Sequence, residues 1–137
     1  MPLDVGSVFR VWDISLGEEP HRHVVVHKID DDSIVTAYFS TKLENLKRRC
    51  RRDEIDPPLE GPRTYVEVGI SDCPQGLTEL CAVNCNALKV RSIRECEGDW
   101  DFDDFNGAVL SPPKLDQIRE GITHSKTVSE EIKDYFR

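Results

Sequence analysis

The stretch HRHVVVH, residues 21 to 27, sets three histidines (His21, His23 and His27) and one arginine, Arg22, around an apolar run. On an extended strand, residues 21, 23, 25 and 27 share one face and 22, 24, 26 and 28 the other. The three imidazoles are therefore expected on one side of a sheet, with about 7 Å between the Cα atoms of His21 and His23. Two imidazoles so spaced suit zinc or copper, but a metal site needs a third ligand and groups that orient the ligands. Neither is evident nearby in the sequence. Arg22 offers different chemistry: it stays cationic at any working pH and can grip a phosphate with two parallel hydrogen bonds. Ser40 and Thr41, followed by Lys42, add hydroxyls at the end of the next apolar run. A guanidinium and a hydroxyl facing one cleft can act on a phosphate ester. An imidazole, titrating near neutrality, is the natural acid or base, which makes His21 and His23 candidates for that part.

The elements that must position these groups read mostly as strands. SVFRVW (7 to 12), RHVVVHK (22 to 28), SIVTAYFS (33 to 40) and RTYVEVGI (63 to 70) alternate or run apolar with β-branched and aromatic residues. ELCAVNC (79 to 85) is a weaker strand candidate and ALKVRSIREC (87 to 96) a stronger one. Asp30, Asp31 and Asp32 suit a tight turn, because short acidic side chains bond to nearby backbone donors. A hairpin closed there carries Ser40 toward Arg22. Residues 43 to 63 lose periodicity, and DPPLEGP holds three prolines and a glycine. They read as a loop, with LENLKRRC able to supply a short helical turn.

The period changes at the end of the chain. Ser111 can cap a helix whose first residue is Pro112, with Leu115, Ile118 and Ile122 on one face. Thr127 and Glu130 stand at capping-box spacing before Val128, Ile132 and Tyr135 or Phe136. Strands first and helices after them predict one α+β, mainly β domain over residues 1–137, a small antiparallel barrel or strongly bent sheet with a C-terminal helix.

Composition bounds the function. Hydrophobic residues make up 38% and charged residues 32% of the 137, enough for a single modest core. No run approaches the roughly 20 apolar residues of a membrane span, and no secretory signal is expected, so a cytoplasmic protein is the expectation. Five cysteines, Cys50, Cys73, Cys81, Cys85 and Cys96, then read as reduced thiols. Cys81 and Cys85 have zinc-like spacing, but no second ligand pair follows at a finger-like distance. A net charge of −8 opposes nonspecific binding to a polyanion. Charge is unevenly placed, however. KRRCRRDE gathers Lys47, Arg48, Arg49, Arg51 and Arg52, whereas EGDWDFDDF, in the acidic loop 97–107, gathers five carboxylates. Each run is either a solvated surface or a contact region.

These segments, in this order, resemble the MazF/PemK toxins of bacterial toxin–antitoxin systems. VGSVFRVWD resembles the family's opening strand after its glycine, and HRHVVVHK the segment R-P-V-V-V that starts its second strand, with His23 where the family has proline. IVTAYFSTK is similar to the next strand with its Ser/Thr turn and lysine, TYVEVG to a T-H-V-E type strand, ALKVRSIREC to L-x-x-I-R-T-I, and LSPPKLDQIREGITHSKTV to the terminal helix. The resemblance implies an SH3-like barrel that forms a homodimer. It also implies a sequence-selective endoribonuclease that cleaves single-stranded RNA without a cofactor or metal and is inhibited by a cognate antitoxin protein. Arg22 falls on the family's catalytic arginine and Ser40 on its catalytic threonine, with Thr41 the alternative if the register slips by one. Lys42, Lys47, Arg48, Arg49, Arg51 and Arg52 become the RNA-binding cations, and Trp12 and Tyr38 either stack on bases or belong to the core. Glu18 and Glu19 lie close to where the anionic substrate would sit. The rival reading keeps the fold as a catalytically inactive barrel that binds another protein, with Trp100 and Phe102 as possible anchors.

Overall fold

The computed structural model describes residues 3–13, 16–17, 19–53 and 64–137, with residues 51–53 described as backbone only. Among the described residues, five strands form one antiparallel sheet: β1 (Val8–Val11), β2 (His21–Lys28), β3 (Ser33–Ser40), β4 (Tyr65–Val68) and β5 (Cys81–Ser92), in the order β1-β2-β3-β5-β4. Helices α1 (Leu43–Asp53), α2 (Ile93–Glu97), α3 (Pro112–Thr123) and α4 (Glu130–Lys133) complete the α+β fold. The sheet does not close into a barrel, because β1 and β4 stand at opposite edges.

The hairpin between β2 and β3 forms as the acidic turn requires. Asp30 Oδ1 accepts the backbone N–H groups of Asp32 and Ser33 at 2.9 and 2.7 Å, which bends the chain without a glycine. Pairing then runs from Lys28 opposite Ile34 back to His23 opposite Tyr38. Arg22 and Ser40 fall just beyond that last pair.

Both faces of the sheet are covered, which explains the unbroken apolar run VVV in β2: Val24, Val25 and Val26 are all fully buried. Val24, Val26, Val35, Ala37 and Val83 pack with Ile118 and Ile122 of α3. Phe9, Val11, Val25 and Ile34 pack on the other side with Ile93 and Cys96 of α2. Burying Ile118 and Ile122 stabilises the fold by roughly 1.5 to 3 kcal/mol each. Tyr65 and Glu67 share one side of β4, and Val66 and Val68 are buried on the other, as the alternation requires.

Four expectations need correction. Residues 43–53, expected as loop with a short helical turn within 43–50, form the longer helix α1. Leu43, Leu46 and Cys50 recur at helical spacing, and Leu46 and Cys50 bury against Ala82, so tertiary contact outweighs the dense positive charge. Residues 54–63 of the expected loop lie outside the described residues. The two strand candidates at 79–85 and 87–96 are one strand, β5, which ends at Ser92. Ser92 Oγ caps α2 by accepting the N–H of Glu95 at 3.2 Å, so residues 93–96 are helix. Ser129, not Thr127, caps α4, accepting from Ile132 N–H. Ser111 does precede α3, but its hydroxyl bonds Asp72 Oδ1 instead of the helix backbone.

The fourth correction concerns the histidines. Val25 pairs with Thr36 and His27 with Val35, which leaves Val26 as an extra residue in a β-bulge. A bulge breaks the period of two, so His27 leaves the face of His21 and His23. It stacks instead on Tyr135 at 4.5 Å, beside the C-terminal turn.

Candidate functional site

A cleft of about 770 Å³ opens at the end of the sheet where β2 begins and β3 ends. Arg22 and His21 enter it from β2, and Tyr38, Phe39 and Ser40 from β3. Thr41 and Lys42 come from the link to α1, and Arg49 from α1 itself. Leu16, Gly17, Glu19 and Pro20 close one side, and the segment Leu77–Glu79 with Cys81 closes another. The cleft thus gathers Arg22, Ser40, Thr41 and Lys42, and of the basic run it takes in Arg49.

Arg22 is fixed from two directions. Its Nε donates to the carbonyl oxygen of Gly76 at 2.6 Å, and its guanidinium carbon lies 5.1 Å from the centroid of Phe105. No acidic side chain among the described residues forms an ion pair with it. A guanidinium held by a carbonyl and an aromatic face keeps its full charge for an anion. Ser40 Oγ accepts the backbone N–H of Lys42 at 3.2 Å, a bond that uses the oxygen and leaves the hydroxyl proton to donate. Thr41 and Lys42 are exposed. Cys81, also in the cleft, is not a nucleophile at neutral pH: burial pushes its thiol up to about 12, against the lowering effect of Arg22.

The two histidines of one face part company. His21 lines the cleft, and its Nδ1 lies 2.9 Å from the carbonyl oxygen of Glu19. A carbonyl only accepts, so Nδ1 carries the proton and Nε2 keeps its lone pair in the neutral ring. His23 is buried and stacked on Phe9 with 5.6 Å between centroids, away from the cleft. Burial, reinforced by the nearby Arg91, lowers its pKa to about 3. The structure does not bring His23 to Arg22 and Ser40.

The basic run is divided. Lys47 is committed to Glu67, with Glu44 at 4.0 Å and the ring of Tyr65 at 5.9 Å. Arg48 and Arg49 are exposed, and only Arg49 lines the cleft. The side chains of Arg51 and Arg52, and Glu18, lie outside the described residues. Trp12 is 45% exposed and Trp100 fully exposed, whereas Phe102 packs against Phe9 at 6.2 Å. Among the described residues, no three His, Cys, Asp or Glu side chains converge as metal ligands. The five cysteines are buried.

Three participants had no local signal in the sequence. Gly76 and Phe105 reach Arg22 from segments 54 and 83 residues later, which no short-range pattern reports. Asp13 is buried at the start of the β1–β2 link, where Arg91 Nη2 and Lys89 Nζ donate to its Oδ2 at 2.6 and 3.0 Å. Neither the models of known protein families nor the curated proteins compared with this chain contain a match to it. No helix among the described residues is long and apolar enough to cross a membrane.

Proposed function

We propose that the chain is a metal-independent, sequence-selective endoribonuclease toxin of the MazF/PemK-like kind, acting on single-stranded RNA as a homodimer and restrained by a cognate antitoxin. The observation that carries this reading is the convergence of Arg22, Ser40, Thr41, Lys42 and Arg49 in one 770 Å³ cleft. The five-stranded antiparallel sheet followed by C-terminal helices supports an SH3-like relationship, although its edges stay open.

RNA carries its own nucleophile. In the reaction the 2′-oxygen attacks the adjacent phosphorus, the new P–O bond forms as the bond to the 5′-oxygen breaks, and a 2′,3′-cyclic phosphate remains. The protein must remove the 2′-hydroxyl proton, stabilise the extra charge on the phosphate oxygens and let the 5′-oxygen leave protonated. Arg22, which forms no ion pair among the described residues, stabilises the charged phosphorane-like state. The Ser40 hydroxyl donates to a phosphate oxygen, with Thr41 beside it. His21 Nε2, left unprotonated by the Nδ1 contact to Glu19, takes the proton, and the resulting imidazolium supplies one to the leaving oxygen. Lys42 and Arg49 hold the backbone on either side.

The test is incubation of the purified protein with a long mixed-sequence RNA in EDTA, comparing wild type with Arg22→Ala. Cleavage by wild type that the variant loses is the expected result. No cleavage by wild type removes the nuclease reading, and undiminished cleavage by Arg22→Ala removes the site assignment.

A further inference from the structure

The Arg22 cleft shares Leu16 and Tyr38 with a second pocket of about 180 Å³, which lies over the His23 face of the sheet. Its walls are mostly apolar and include Leu16, Tyr38, Ala87 and Leu88. Its floor includes His23, which is 1% exposed and whose Nε2 has no hydrogen-bond partner among the described residues. Buried polar atoms are ordinarily satisfied, so this nitrogen marks a place where a ligand can supply the missing bond. Lys89 and Arg91 stand at the rim, anchored on Asp13. Two cations against one carboxylate give the pocket a single positive excess beside a neutral imidazole.

We propose that this pocket is a nucleobase subsite that takes the pyrimidine ring of a nucleotide neighbouring the phosphate held by Arg22. Apolar walls with a few convergent polar groups suit a planar heteroaromatic ring. A phosphate would instead meet the Asp13 carboxylate. At roughly 30 Å³ per water the space is worth about six waters, and it falls below the usual 300 Å³ or so of a drug-sized site, which favours one ring over a fused purine. The carbonyl oxygens of the base accept from Lys89 or Arg91, and a ring nitrogen or amino group meets His23 Nε2. Tyr38, shared by both pockets, lies between base and phosphate. The subsite deepens the ribonuclease reading, but its occupancy can be read without any cleavage.

The experiment follows the imidazole ¹⁵N resonances of His23 while uridine, cytidine, adenosine or guanosine is added at millimolar concentration to the full chain. Uridine or cytidine is expected to shift them equally in wild type and in Arg22→Ala. Ala87→Phe, a filling substitution at an exposed rim position, abolishes the shift. No response of His23 to any nucleoside, an equal response to purines, or an undiminished response in Ala87→Phe overturns the assignment. RNA cleavage is measured on the same preparations. Pyrimidine binding without cleavage refutes the nuclease and keeps the subsite; cleavage without binding does the reverse.

Discussion

Arg10 and Arg22 stand directly opposite each other in the β1–β2 pairing, and both guanidinium groups face the ring of Phe105, at 5.9 and 5.1 Å. Like charges so placed repel. The acidic loop offsets that repulsion: Arg10 Nε donates to the carbonyl oxygen of Asp101, and the backbones of Arg10 and Asp103 bridge. The ring is set by an unusual turn in which Phe105, Asn106 and Gly107 all have positive φ, at 52°, 60° and 81°. A non-glycine residue held there signals a constrained segment. The acidic run is thus a brace for the cationic cleft.

Replacing the ring should therefore be felt at Arg22. Phe105→Leu removes a cation–π contact of roughly 0.5 to 2 kcal/mol and is expected to lower kcat/KM for RNA cleavage about two- to thirtyfold. Phe105→Tyr should retain most of the activity. Equal rates for the two variants would show that the ring does not position Arg22.

His21 is the base of the proposed cleavage. General-base assistance contributes about 10²- to 10⁴-fold, so His21→Gln is expected to lose that much in kcat with KM little changed. An unchanged kcat would assign the base elsewhere.

His23 acts on stability rather than on rate. Its folded pKa of about 3 lies below the ordinary value of 6.5, so the unfolded chain takes up the proton first as the pH falls. Its neutral form is fully compatible with folding above about pH 6.5, and stability is lost below that until about pH 3. By pH 5 the loss is about 2 kcal/mol. His23→Phe, which retains a ring against Phe9, should show a correspondingly smaller drop in unfolding free energy between pH 7.5 and pH 5 by urea titration.

Asp13 should be among the costliest surface-proximal residues to change. Its carboxylate is 2% exposed and pairs with Arg91 and Lys89. Removing one partner of a buried pair costs about 3 to 5 kcal/mol, so Asp13→Asn is expected to lower the urea midpoint markedly. Lys89→Ala, at a half-exposed position, should cost far less.

Arg49 and Lys47 separate the cleft from the rest of the basic run. Arg49→Ala should weaken binding of catalytically inert RNA and reduce the slope of log K against log salt by about 0.7, one single-strand phosphate contact. Lys47→Ala, whose ammonium is held by Glu67, should leave the slope unchanged.

Local pattern already determined much of this protein: the extended apolar segments that become β1 and β3, the period of two in β4, the Asp30 turn, the start of α3 at Pro112, and the nearness of Arg22 to Ser40, which a closed hairpin enforces whatever else the chain does. These depend on neighbours within a few residues or on one tight turn. Tertiary structure decided what depends on distant contact. Leu46 and Cys50 turn a cation-rich segment into a helix only because Ala82 is there to cover them. The Val26 bulge, invisible as a pattern, sends His27 to the far face. His21 and His23, two positions apart, become a cleft residue and a buried one because Phe9 covers one ring and the Glu19 carbonyl holds the other.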